Sequence, residues 1–394
     1  MSYETITNAA QLDALCQRMA SADRIGFDTE FVSEDTFRPE LCLVQVIVGE
    51  QMSVIDPQLV EDLTPFWQAL ADGGHTTIVH AAREEINFSL TAIGRPPANI
   101  FDTQLASAFC STEYPASYSA VVTRFLSVNL AKGEQRTDWR RRPLSPEQIG
   151  YALEDVRHLF KLHDKIAGRI ERLGRTAWLQ QETREFVDEV VAARSRERWR
   201  KVSGSGSLGP RNLAIVRELW RWRQEEAERR DSPPKRVLRD DLIVELAKRR
   251  TADPDKIRAL RGMQYGSLKR SIPAIAERVQ RGLDASLDDL KSRGHAKPPP
   301  QLNLLGQFLG PAINSICRGE SMAASLVGTA TDVRDLIAYR LGYAAPDGEP
   351  PTLAGGWRAD LVGNLIDDLL AGRKSIRIAD PRSEHPLAID AINR

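Results

Sequence analysis

The sequence predicts an N-terminal α/β domain followed by two all-helical domains. Three observations lead there. Before residue 200, short β-branched apolar runs alternate with helical segments, the pattern of a mixed sheet flanked by helices. The stretch Lys201-Val-Ser-Gly-Ser-Gly-Ser-Leu-Gly-Pro210 is Gly/Ser-rich and cannot sustain a helix. Beyond it, residues 211–285 and 301–372 carry helical patterning almost throughout.

Taken in order, Arg24-Ile-Gly-Phe27 leads into an extended apolar stretch, and Leu41 to Val48 is apolar enough for a buried strand. Ser53 to Asp56 and Thr76 to His80 are two more strands. Leu59 to Ala71 and Ala82 to Ala92 are helices. The 201–210 stretch marks a boundary, so the first domain is expected to span residues 1–200 and to fold alone. Pro233-Pro234 breaks the helices of a second domain at 211–290. Gly294 to Pro300, ending in three prolines, separates a third at 301–375, which contains a Gly/Pro-rich loop from Ala345 to Gly356. The tail beyond is left unassigned.

The chain has 394 residues, 42% hydrophobic and 27% charged, an ordinary globular composition. Lys+Arg and Asp+Glu both number 54. A nucleic-acid partner would therefore have to be gripped by local basic patches rather than by the overall field. The four cysteines form no CxxC pair, which argues against a zinc site or a disulfide framework. No basic-then-apolar leader opens the chain, and no apolar run reaches the roughly 18 residues of a membrane span. A cytoplasmic location is expected.

Four places hold acidic residues with chemical potential. Asp28 and Glu30 are two apart on a strand, so they share one face and can meet one hard cation. Alone, such a pair is more often a polar strand end. His80-Ala-Ala-Arg-Glu-Glu puts Glu84 and Glu85 in the first turn of a helix, where acidic residues commonly just complement the dipole. Asp102 reads as an N-cap. Tyr151 and Asp155 are four apart on a helix, hence on one face. Together, several carboxylates and a tyrosine are the inventory for two-metal phosphodiester cleavage, and hard oxygen ligands suit Mg²⁺ or Mn²⁺.

Here a resemblance becomes specific. Asp28-Thr-Glu30 is similar to the first motif of the DEDD exonuclease superfamily, and Tyr151-x-x-x-Asp155 to the third motif of its tyrosine-containing branch. His80-Ala-Ala-Arg resembles the second motif, and Thr137 to Ser145 the segment preceding the third in ribonuclease D. Residues 211–285, with Leu219, Trp222, Arg223, Pro233-Pro234, Leu242 and Leu260-Arg-Gly262, resemble an HRDC domain. Residues 301–372, with Gly355 to Arg358, resemble the second helical domain of that family. The resemblance implies a ribonuclease H-like exonuclease domain followed by two HRDC-like domains, acting as a 3′→5′ exoribonuclease that releases nucleoside 5′-monophosphates. It implies that Asp28, Glu30 and Asp155 hold one cation, that Asp28 and Glu85 serve a second, and that Tyr151 orients the attacking water. Precursor tRNA is the substrate the family suggests. One departure stands out: the second motif normally supplies aspartate where this chain has Glu85.

Arg136, Arg140, Arg141 and Arg142, with Trp139 among them, are the expected RNA grip, by phosphate contact and base stacking. Further basic residues from Arg217 to Arg239 are expected to contact nucleic acid as well, although interleaved glutamates could simply pair with them. The competing readings are a DNA-directed exonuclease of the same superfamily and an impaired RNA-binding protein that keeps the fold.

Overall fold

The structure is a computed structural model that describes residues 2–130, 137–264, 266–288, 290, 299–343 and 349–392. The expected linker at 294–300 and the loop at 345–356 fall partly outside the described residues, as does Arg136.

The first domain is built on a six-stranded sheet. Its elements are β1 (Glu4–Ile6), α1 (Ala9–Ala20), β2 (Arg24–Val32), β3 (Glu40–Val48), β4 (Gln51–Ile55), α2 (Thr64–Asp72), β5 (Thr76–Val79), α3 (Arg83–Ile93), β6 (Ile100–Asp102), α4 (Thr103–Ala108), α5 (Tyr118–Leu126), α6 (Pro146–Arg157), α7 (Leu159–Arg172) and α8 (Thr176–Ser195). The spatial order is β1-β4-β3-β2-β5-β6. Only β3 runs against the others, because β2–β3 and β3–β4 are antiparallel and the remaining pairs parallel. The expected mixed sheet is thus present. The two short strands β1 and β6 were not legible: three residues carry too little periodicity.

Strand alternation assigns the two faces. Ile25 and Phe27 join Leu12, Leu15, Phe66, Trp67 and Ile86 in the core beneath α1, α2 and α3. Gly26, Asp28 and Glu30 point the other way, toward α6 and α7. Gly26 is required there. A Cβ would lie 2.7 Å from Ile47 and 3.1 Å from Leu159, so only glycine lets α7 settle on β2. That close approach brings the end of α6 over the acidic strand.

The expectation that residues 1–200 fold alone meets a core that they do not close by themselves. The third domain, α14 (Gln301–Gly319), α15 (Ala324–Val327), α16 (Ala330–Arg340) and a terminal helix at Asn364–Leu370, follows the second domain in the chain. It shares one continuous apolar cluster with the first: Leu105, Phe109, Val121, Leu162 and Ile166 pack with Leu309, Ile313, Leu336, Leu353 and Trp357. Buried Arg175 donates at 2.8 Å to the carbonyls of both Phe109 and Glu320. Glu182 accepts from Trp357 Nε1 at 2.9 Å and from Arg358 at 2.7 Å. Removing the third domain would bare this surface to water.

The second domain, α9 (Pro210–Arg229), α10 (Pro234–Val237), α11 (Asp240–Arg249), α12 (Pro254–Arg258) and α13 (Gly266–Asp284), has its own core. That core includes Trp199 and Val202, so the Gly/Ser stretch is not a free linker but the first part of this domain. Its ties to the first domain are lighter: Phe37 packs against it, and Arg38 pairs with Glu228 at 2.5 Å across an exposed seam. The unassigned tail forms a hairpin of β7 (Lys374–Ile378) and β8 (Leu387–Ala391).

Candidate active site

Asp28, Glu30 and Asp155 converge. Each offers a carboxylate oxygen within 4.8 Å of the others, and all three are half-buried. Asp28 and Glu30 share the α6 face of β2 as the sequence implied. The shared register with β3 ends in an irregularity between Glu30 and Phe31, just after the motif. Asp155 arrives from α6, whose start is set by a capping box of Ser145 and Gln148. Apolar Ala152, Leu153 and Val156 clamp the same helix to the sheet.

Glu85 is 4% exposed, so it is no surface helix residue. Its Oε1 accepts from Thr29 Oγ1 at 2.9 Å. Asp28 is close enough to push its carboxyl up further, after burial itself. Yet Glu85 does not join the three-carboxylate group. The longer side chain is held by a hydroxyl of the strand residue between Asp28 and Glu30. Glu84 instead accepts from Asn87 Nδ2 on the helix surface.

Burial, with repulsion at Glu30 and Asp155, disfavours the charged forms of these carboxyls. Burial, opposed by a hydrogen bond from the Thr29 backbone, lifts Asp28 to about 7. Burial and then repulsion from Asp28, Asp155 and Glu85 lift Glu30 to about 9. Burial and then Asp28 lift Asp155 to about 8. A carboxyl whose pKa is raised on folding stabilises the fold fully below its unfolded value, near 4. That contribution is lost as pH rises through the folded value. In chelator, the melting temperature should therefore fall steadily from pH 5 to pH 9, and Asp28→Asn should flatten the fall and raise the value at pH 9. A pH-independent melting temperature that Asp28→Asn leaves unchanged would contradict this electrostatic picture.

Tyr151 and Asp155 lie one turn apart on α6, where the phenol and the carboxyl influence one another. Burial, then Asp155, Glu30 and Asp28, push the phenol well above its ordinary range. It is therefore neutral at physiological pH. A second tyrosine went unnoticed in the sequence. Tyr118 donates to the Glu154 carbonyl at 3.2 Å and accepts from the His158 backbone N–H at 3.3 Å, bracing the junction of α6 and α7 beside Asp155. Its ring meets His80 edge-on at 5.4 Å. Nothing around Tyr118 in the sequence signals this; the contact spans 36 residues. His80 itself is structural, bonded at 3.0 Å to Thr103 Oγ1 and 3.1 Å to the Ala116 carbonyl. Asp102 is structural too. Its two oxygens accept from the N–H groups of Ala81, Ala82 and Gln104 within 3.0 Å, which orients the turn that begins α3.

The expected RNA grip is largely corrected. Trp139 is 3% exposed and packs with Leu43, Val54 and Ala152, so it has no face to stack on a base. It lies instead 6.2 Å from Tyr151 and buttresses that ring. Arg142 uses all five donors internally: two to Asp56 at 2.6 and 2.8 Å, and three to the carbonyls of Trp139, Arg141 and Cys42. Arg140 is tied to Asp35 at 3.1 Å and Asp138 at 3.2 Å. Arg141, 84% exposed, is the member of the described cluster that reaches into solvent. In the second domain the interleaved glutamates do pair with the arginines. Arg229 and Arg230 meet Glu226, Arg221 meets Glu197 and Glu218, and Arg223 is buried against Asp240.

Residues 3–171 match the family model described as 3′–5′ exonuclease, and residues 212–279 match the HRDC domain. A ribonuclease D of Acidiphilium cryptum is 31% identical over 96% of this chain and 96% of its own length. One from Granulibacter bethesdensis is 33% identical over 91% and 90%. The chain belongs to the ribonuclease D family. The crystal structure of Escherichia coli RNase D, an exoribonuclease, superposes with a TM-score of 0.78 at 26% identity, covering 94% of this chain and 99% of that one. The protein is thus a 3′→5′ exoribonuclease, a phosphodiester hydrolase that binds RNA, and the acidic cluster lies in its exonuclease domain. As in a ribonuclease D, the mixed α/β domain precedes the HRDC domain. No described helix is long and apolar enough to cross a membrane.

Proposed function

We propose that this ribonuclease D-family enzyme trims RNA from the 3′ end with two divalent cations, Mg²⁺ or Mn²⁺, releasing nucleoside 5′-monophosphates, and that its substrates are 3′-extended tRNA precursors in the cytoplasm. The observation that carries the chemistry is the convergence of Asp28, Glu30 and Asp155 within 4.8 Å. The donor set fits the group: all three candidate ligands are hard carboxylate oxygens, and burial lifts all three, with repulsion adding at Glu30 and Asp155, a penalty on the charged forms that a cation would offset. Bound cations supply a water of lowered pKa and neutralise charge on the phosphodiester. In this reading Asp28, Glu30 and Asp155 hold one cation. Asp28 and Glu85 serve the second, Glu85 from its anchored position on Thr29. Tyr151, neutral and one turn from Asp155, orients the attacking water for in-line cleavage. Arg141 is the side chain best placed to meet the RNA backbone. The E. coli relative is described as acting in structured RNA processing, which suits a structured precursor.

Glu85 gives the sharpest test of the second cation. Glu85→Asp should leave the rate within a few-fold of the parent or raise it. Glu85→Gln keeps the size but loses the charge, and should lower the rate by roughly 10-fold or more. A Glu85→Gln enzyme with the parent's rate would remove Glu85 from the mechanism. The substrate reading is tested by following 3′-labelled single-stranded RNA, DNA and a 3′-extended tRNA precursor with Mg²⁺ and with chelator. Labelled nucleoside 5′-monophosphate should appear from RNA only with cation, and fastest from the precursor. Equal rates on DNA would redirect the proposal to a DNA exonuclease, and no product from any substrate to an impaired RNA-binding protein.

A further inference from the structure

A fully buried, unpaired polar group of the exonuclease domain lies directly opposite Asp28. Gln45 is 0% exposed, and neither its Oε1 nor its Nε2 has a hydrogen-bond partner among the described residues. Register places it: in the antiparallel β2–β3 pair, Asp28 and Gln45 are Cα partners. Directly paired residues point to the same face with Cβ atoms roughly 4.5–5.5 Å apart. The rest of that face is apolar. Two residues before Gln45, Leu43 packs with Val54, Ala152 and Leu153, and two residues after it, Ile47 packs with Val156 and Leu159. Gln45 is therefore the one polar side chain of β3 under α6, the helix that carries Tyr151 and Asp155. A well-packed apolar site does not retain an amide with two donors and an acceptor unless those groups are used.

We propose that Gln45 is a positioning residue for Asp28: its carboxamide donates to the Asp28 carboxylate when a cation is bound, directly or through one buried water. The inference rests on the reading of Asp28 as a cation ligand. A carboxylate that would ligate a cation is best held in one orientation, and ligating carboxylates are themselves usually hydrogen-bonded by a supporting residue. Gln45 would supply Asp28 with a donor from the neighbouring strand, which neither the motif residues nor their spacing reveals.

The experiment measures Mn²⁺ and Mg²⁺ affinity by the cation-dependent rise in melting temperature, alongside the melting temperature in chelator. The proteins are the full chain, Gln45→Met, Gln45→Leu and Asp28→Asn. Methionine keeps the length of glutamine, and both replacements suit apolar surroundings. The expected result is that both Gln45 variants melt in chelator at or above the parent's temperature, because an unpaired amide has been removed. Their cation affinity should be 10–100-fold weaker, with a parallel loss in turnover. Parental affinity in a folded Gln45 variant overturns the proposal. So does failure of both variants to fold, which would make Gln45 a residue of the core. If the parent itself shows no cation-dependent rise that Asp28→Asn abolishes, it is the cation reading that fails, and the positioning role falls with it.

Discussion

Asp28→Ala and Asp155→Ala should each reduce exonuclease activity to background while the protein stays folded. Both carboxylates sit within 4.8 Å of Glu30; burial pushes both up, and at Asp155 the charge of Asp28 adds to it. That arrangement is unfavourable for the fold without a cation, as expected of groups that would hold one. On the proposed reading, loss of one carboxylate of the three would remove charge needed to bind the cation and leave the reaction without its nucleophile. The expected loss is at least on the order of 10³-fold, because neither general acid–base help nor water activation survives. The same variants should melt at a higher temperature than the parent in chelator, since a repelling group is gone. Turnover near the parent's in either folded variant would mean that the cluster is not the catalytic centre. A lower melting temperature in chelator would mean that the carboxylate is structural, as Asp102 is.

Tyr151→Phe should keep the fold and bind cations within a few-fold of the parent, but turn over about 10²–10⁴-fold more slowly, the usual span for a positioned proton-handling group. The phenyl ring retains its place against buried Trp139, 6.2 Å away. What disappears is the hydroxyl that interacts with Asp155. With the phenol's pKa raised above its ordinary range, the loss should be similar across neutral pH rather than growing toward alkaline pH. Loss of RNA affinity with an unchanged rate would reassign Tyr151 to substrate stacking. Equal loss of cation affinity and rate would make it a support for Asp155 instead.

Local periodicity was enough for much of this protein. A repeat of two puts Asp28 and Glu30 on one face of β2, and a spacing of four puts Tyr151 and Asp155 on one face of α6. Both repeats follow from backbone geometry that any reader of the sequence can apply. The mixed sheet and the helical second and third domains follow from the same patterning. Side chains whose fate depends on distant partners could not be read this way. Arg142 looks like a phosphate ligand until Asp56, 86 residues away, takes both of its strongest donors. Trp139 looks like a stacking platform until β3, β4 and α6 close over it. Counting from His80 puts Glu85 where the resemblance expects a carboxylate, but its anchor could not be read, because Thr29 is 56 residues away. Gln45 means nothing on β3 until the antiparallel register sets it opposite Asp28. The Gly/Ser stretch at 201–210 resembles a tether, yet Trp199 and Val202 bury themselves in the second domain's core, while the third domain completes the core of the first. Propensity and periodicity act over a few residues. Burial and charge pairing are settled between segments far apart in the chain, and only the folded structure brings those segments together.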